Sequence, residues 1–87
     1  MAYAVDVEDK LKVKLQKLSK SNHSVHEQVL KKVNQLCINP RIGKPLKGKY
    51  NGVRRVHIGN MVLTYKINDI FRRIVLIDFV HHDVAYR

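Results

Sequence analysis

This sequence is short of acid, of cysteine and of long apolar runs. Asp and Glu number 7 against 17 Lys and Arg, which gives a net charge of +10 with His neutral. Such an excess points to nucleic acid, a ribosome or an acidic protein as partner. A single cysteine, Cys37, excludes an internal disulfide and a cysteine-rich zinc site. It reads as a small buried apolar residue. No run reaches the roughly eighteen apolar residues of a membrane span. Asp6, Glu8, Asp9 and Lys10 interrupt the first eleven residues, which argues against a signal peptide. The expectation is a cytoplasmic protein with no membrane partner. Repeats and low-complexity linkers are also missing, and 87 residues leave room for one domain, 1–87. What is present is enough apolar content, 45%, to build a core.

Hydrophobic periodicity gives the order of elements. Tyr3, Val5 and Val7 alternate with Ala4 and Asp6, so Ala2 to Val7 reads as a strand. Leu11, Leu15 and Leu18 then recur at spacings of four and three, one face of a helix over 6–20. Lys10, Lys12, Lys14, Lys17 and Lys20 surround that face. Ser24-Val-His-Glu27 fits a capping box at the start of a second helix. Val25, Val29, Val33 and Leu36 form its apolar stripe, and Pro40 stops it. Asn39 to Asn51 reads as a loop. Val53 to Ile58 and Met61 to Ile67 alternate as strands around a two-residue turn, Gly59-Asn60. Asn68-Asp69 offers a further turn. Arg73 to Val80 is a nearly continuous apolar run, which suits a central strand buried on both faces. The expected class is therefore α+β, in the order β-α-α-β-β-β. Two antiparallel helices would cover one face of a curled antiparallel sheet, leaving the other face or its rim open.

The turn fixes a register. If Ile58 pairs with Met61, then His57 faces Val62, Val56 faces Leu63, Arg55 faces Thr64 and Arg54 faces Tyr65. Side chains alternate along a strand, so Val56, Ile58, Met61 and Leu63 share the core face. Arg55, His57, Val62 and Thr64 share the opposite face. Arginine offers phosphate a planar fork of donors, and imidazole moves protons near neutral pH. The tail adds His81, His82, Asp83, Tyr86 and Arg87. Cutting RNA without a metal requires activating the 2′-hydroxyl, stabilising a pentacovalent phosphate and protonating the leaving oxygen. Histidine, arginine and tyrosine together supply these functions. The same side chains would also suit a solvated face or a surface that only binds nucleic acid, and spacing alone leaves these readings open. His81-His82-Asp83 hints at a metal, but neighbouring strand positions point apart and no second ligand cluster is present.

The segment Asn39-Pro-Arg-Ile-Gly-Lys-Pro-Leu-Lys-Gly48 is followed by Gly52-Val-Arg-Arg-Val-His-Ile-Gly-Asn60. Together with Leu63, Tyr65 and the tail residues His81, His82, Tyr86 and Arg87, it resembles the RelE/ParE superfamily of toxin–antitoxin toxins. The resemblance covers essentially the whole chain. It implies the RelE-like microbial RNase fold and, for the RelE branch, cleavage of mRNA in the ribosomal A site. That cleavage needs no metal or cofactor and leaves a 2′,3′-cyclic phosphate. The resemblance implies Arg55, His57, His82 and Tyr86 as the catalytic set. Arg41, Lys44, Lys47, Lys49, His81 and Arg87 would hold RNA. Val62 stands where the nucleases carry an arginine, so a phosphate clamp is missing there. Arg54 has the wrong parity to replace it, and Arg87 is the remaining candidate. The implied partners are the ribosome, mRNA and a cognate acidic RelB-like antitoxin. The alternatives are a ParE-like inhibitor of DNA gyrase without nuclease chemistry, and a basic RNA-binding protein or inactive toxin.

Overall fold

The structure, a computed structural model, describes residues 2–48 and 52–85. Strand β1 (Ala4–Val7) leads into helix α1 (Asp9–Ser21) and helix α2 (His23–Ile38). A 3-10 turn (Pro40–Ile42) and a two-residue strand β2 (Lys44–Pro45) follow. Then come β3 (Val53–Ile58), β4 (Met61–Asn68), β5 (Arg73–His81) and a helical turn α3 (His82–Ala85). The sheet order is β1-β5-β4-β3-β2. Both long helices lie on one side of it, α1 against β5 and α2 against β3. This is the α+β architecture expected from the sequence. Among the described residues no helix is long and apolar enough to cross a membrane.

The helices form where the leucine and valine stripes predict. Leu11, Val29 and Leu36 are buried, and Leu15, Leu18, Val25, Val33 and Cys37 pack against the core. The first helix begins at Asp9, later than the expected position 6, because Ala4–Val7 is drawn into the sheet. The second helix is not capped by Ser24. Asn22 does this, its side chain accepting from the Val25 amide at 3.2 Å. Asn22 also ends α1, its backbone amide donating to the Leu18 carbonyl. One residue in non-helical geometry therefore closes one helix and opens the next, and Ser24 falls inside the second. Asn39 repeats the device before Pro40, accepting from the Arg41 amide.

The β3–β4 register is the one that the turn dictates, from Ile58↔Met61 through Arg54↔Tyr65. Three features of the sheet depart from expectation. The first strand joins parallel to β5, whereas all pairing was expected to be antiparallel. Lys44–Pro45, expected as loop, adds a short edge strand antiparallel to β3. β5 is an interior strand, flanked by β1 and β4, as its apolar run predicts. The continuous apolar run in β5 hides a bulge. Thr64 pairs with Asp78 while Tyr65 pairs with Leu76, which leaves Ile77 as the extra residue. That insertion reverses the parity, so Leu76 and Phe79, three apart, are both buried in the core.

Three ion pairs brace the sheet. Arg73 grips Asp6 across β5 and β1, Arg41 grips Asp69 with both terminal guanidinium nitrogens, and Lys14 reaches Asp78 from α1. Tyr3 donates a further hydrogen bond to Asp69. Hydrogen bonds from Arg73 and from Arg41, the latter helped by Tyr3, hold the carboxyls of Asp6 and Asp69 below the usual carboxylate range. Their folded pKa values lie below the unfolded value of about 4. The stability they contribute is therefore present above that pH and is lost as pH falls through the lowered folded values. The melting temperature should drop on acidification below about pH 4. An Asp6→Asn/Asp69→Asn variant should show a shallower drop in a calorimetric pH series. An unchanged slope would mean that other carboxylates carry the acid sensitivity.

Candidate functional site

The site is built on the sheet face turned away from the helices. Two rows of paired residues define it. Lys44 lies opposite Arg55, which lies opposite Thr64. One step along, His57 lies opposite Val62, which lies opposite Val80. Residues directly opposite each other share a face, so Lys44, Arg55, His57 and Thr64 stand together on hydrogen-bonded strands. Lys66 stands on the same face, two residues beyond Thr64. The alternation of β4 could have revealed it, but the expectation did not include it.

The C-terminal turn completes the arrangement. The His82 ring lies 5.5 Å from the His57 ring, centroid to centroid, tilted by 34°. The His82 amide donates to the Asn60 carbonyl at 2.9 Å, which ties α3 to the β3–β4 turn. His57 and His82 are exposed, and Arg55 is half-buried. Beside them Val62 is only 1% exposed, although it stands on the face opposite the main core cluster. That face is therefore not fully open. The valine offers no phosphate clamp and forms a small apolar floor between His57 and Val80.

Not all the residues expected at the site are brought there. The structure unites Arg55, His57, His82 and Lys44. Lys47 is exposed on the loop after β2. Arg41 is at the other end of the strands, locked to Asp69 at 2.8 Å beside the β4–β5 turn. His81 pairs with Met61 and lies on the helix side of the sheet, where it lines a groove of about 430 Å³ with Lys14, Leu18 and Phe79. Lys49, Tyr86 and Arg87 lie outside the described residues. Of the acids, Asp6, Asp69 and Asp78 are engaged by Arg73, Arg41 and Lys14. Asp83 is the carboxylate nearest the histidines, 3.9 Å from His82 Nδ1. Lys44, Arg55 and Lys66 make the face predominantly basic. Among the described residues no three His, Cys, Asp or Glu side chains come together as a metal's ligand set.

The loop before the site is fixed by a buried lock. The Tyr65 hydroxyl donates to the Pro40 carbonyl at 2.7 Å and accepts from the Gly43 amide at 2.9 Å. Arg54 Nη1 donates to the Gly43 carbonyl at 2.7 Å. Burial raises the Tyr65 phenol above its usual pKa, so the hydroxyl stays a donor. This lock seats Lys44 beside Arg55. The Asn39-Pro-x-x-Gly-Lys pattern thus does structural work that positions a cation.

Two helices on one side of a five-stranded sheet, with a basic opposite face met by a histidine-bearing turn, define a small α+β domain. The chain matches the family described as ParE toxin of type II toxin–antitoxin systems over residues 5–86, and it belongs to that family within the RelE/ParE superfamily. It is 33% identical over 86 residues to a Methanocaldococcus jannaschii protein carrying the toxin name RelE4, covering 98% of this chain and 92% of the relative. An uncharacterized protein of Methanosarcina mazei is 35% identical over 85 residues, covering 97% and 99%. Among solved structures, the toxin–antitoxin complex RelBE2 of Mycobacterium tuberculosis contains a chain with a TM-score of 0.81 and 25% identity, covering 93% of this chain and 99% of that one.

Proposed function

We propose that this toxin is a ribosome-dependent endoribonuclease that cuts mRNA in the A site and so inhibits translation. The observation that carries the reading is the grouping of Arg55 and His57 on one sheet face with His82 of α3 beside them, the two imidazoles 5.5 Å apart. In this reading one imidazole takes the proton of a ribose 2′-hydroxyl. The 2′-oxygen then bonds to the adjacent phosphorus, and the bond from phosphorus to the 5′-oxygen breaks. The other imidazole protonates that leaving oxygen, giving a 2′,3′-cyclic phosphate and a 5′-hydroxyl. The Arg55 guanidinium stabilises the charge that accumulates on the phosphate. Lys44 and Lys66 on the same face, with Lys47 nearby, supply the field that draws in RNA. Tyr86, Arg87 and Lys49 remain proposed contributors from outside the described residues.

The partner in the resting cell is proposed to be an acidic antitoxin. A charge of +10 favours such a chain, and the similar Mycobacterium tuberculosis structure is a toxin–antitoxin complex. A second reading, inhibition of DNA gyrase without nuclease chemistry, draws on the buried Val62 in place of an arginine and on the ParE family match. Purified ribosomes programmed with mRNA, run beside a gyrase supercoiling assay, separate the two. Cleaved mRNA with unaffected supercoiling is expected. Intact mRNA with blocked supercoiling would establish the second reading instead.

A further inference from the structure

We infer that His81 is a positioning residue, which caps the C-terminal turn and thereby sets the His82 ring against His57. Its neighbour in sequence, His82, belongs to the site, but His81 does not. As the partner of Met61 it faces the helices, on the opposite side of the sheet from Arg55 and His57. A phosphate held by Arg55 and His57 is out of its reach.

Both nitrogens of the His81 ring are engaged in joining the tail to the hairpin. Nδ1 accepts from the backbone amide of Asp83 at 3.2 Å. A backbone N–H can only donate, so Nδ1 carries no proton and the neutral ring is the Nε2–H tautomer. The Asp83 carboxylate, 3.6 Å from the same nitrogen, is too far for a hydrogen bond. Nε2 lies 3.2 Å from the side-chain amide of Asn60. The tautomer requires Asn60 to turn its oxygen to that proton, an orientation of nearly identical shape. The same Asn60 accepts the His82 amide with its backbone carbonyl at 2.9 Å. A helix of four residues cannot hold itself together, because its amides have no partners within it. His81 supplies one partner by acting as the N-cap side chain, a role usually filled by Asn, Asp, Ser or Thr. Without it the His82 ring loses its fixed place over β3.

For its activity readout this inference rests on the nuclease reading. The test compares His81→Asn with His81→Ala, because asparagine caps well and cannot transfer a proton. The Asn variant should cleave mRNA on ribosomes within about threefold of wild type, and the Ala variant should fall about five- to tenfold in kcat with KM little changed. Nitrogen-15 imidazole NMR of the wild type should show the Nε2–H tautomer at His81. The contact between the His57 and His82 rings should persist in the Asn variant and vanish in the Ala variant. An Nδ1–H tautomer, or an Asn variant as inactive as Ala with the ring contact intact, would overturn the inference. If the wild type leaves mRNA uncut, the nuclease reading fails alone, and the tautomer and ring contact still decide the role of His81.

Discussion

Replacing Gly43 with Ala is expected to destabilise the protein by about 3 kcal/mol or more, which moves the melting temperature by at least ~12 °C in a domain of this size. Gly43 has an ordinary backbone conformation, φ −71° and ψ 153°, so it is not required for a left-handed turn. It is required for space. A Cβ there would lie 2.7 Å from the Arg55 carbonyl oxygen, 2.8 Å from Tyr65 Cε1 and closer still to the Tyr65 hydroxyl. Backbone on one side and a buried ring on the other leave it nowhere to go. Tyr65→Phe attacks the same lock from the other side. It leaves the Pro40 carbonyl and the Gly43 amide without their buried partner, at about 1–3 kcal/mol for each group. Because the two substitutions damage one contact, the double variant should lose less than the sum. Urea titrations followed by circular dichroism would measure all three. If Gly43→Ala stayed within about 0.5 kcal/mol of wild type, the loop must be able to lift from the sheet, and the lock would not be what seats Lys44.

That lock also marks how far the sequence could be read. Gly59-Asn60 sits between two alternating runs, and a two-residue turn leaves a single register. The pairing of His57 with Val62 and of Arg55 with Thr64 followed directly. The helical stripes were equally legible, since a 3.6-residue period depends on local spacing. What was hidden is non-local or degenerate. No polar residue in the run before Asp78 marks Ile77 as an inserted residue, so the bulge left no trace in the alternation. The parallel pairing of Ala4–Val7 with β5 joins segments nearly seventy residues apart. Asn22 and Ser24 are both good caps, and only the chain direction between the helices selects Asn22. At the site, alternation placed Arg55 and His57 but could not say that Arg41 would be held by Asp69. Nor could it put Lys44 beside Arg55, because a Lys-Pro pair between Gly43 and Gly48 reads as loop.

The chemistry makes its own large prediction at the two hairpin residues. Arg55→Ala and His57→Ala should each lower mRNA cleavage on ribosomes at least tenfold, through lost stabilisation of phosphate charge in one case and lost proton transfer in the other. The two variants should fail differently. Arg55→Lys keeps a positive charge but not the planar fork, so it should recover part of the rate. His57→Gln keeps a polar side chain of similar reach but cannot exchange a proton near neutral pH, so it should recover little. Folding should be nearly untouched in the His57 variants, because that side chain is exposed. The Arg55 variants should lose up to about 1 kcal/mol, since that side chain is half-buried and its removal costs packing. Binding to ribosomes, measured by co-sedimentation, should change less than cleavage, because Lys44, Lys47 and Lys66 still supply the attractive field. Should cleavage fall only as far as binding falls, Arg55 and His57 would be holding RNA rather than reacting with it. The basic face would then be a docking surface, with the cutting groups elsewhere.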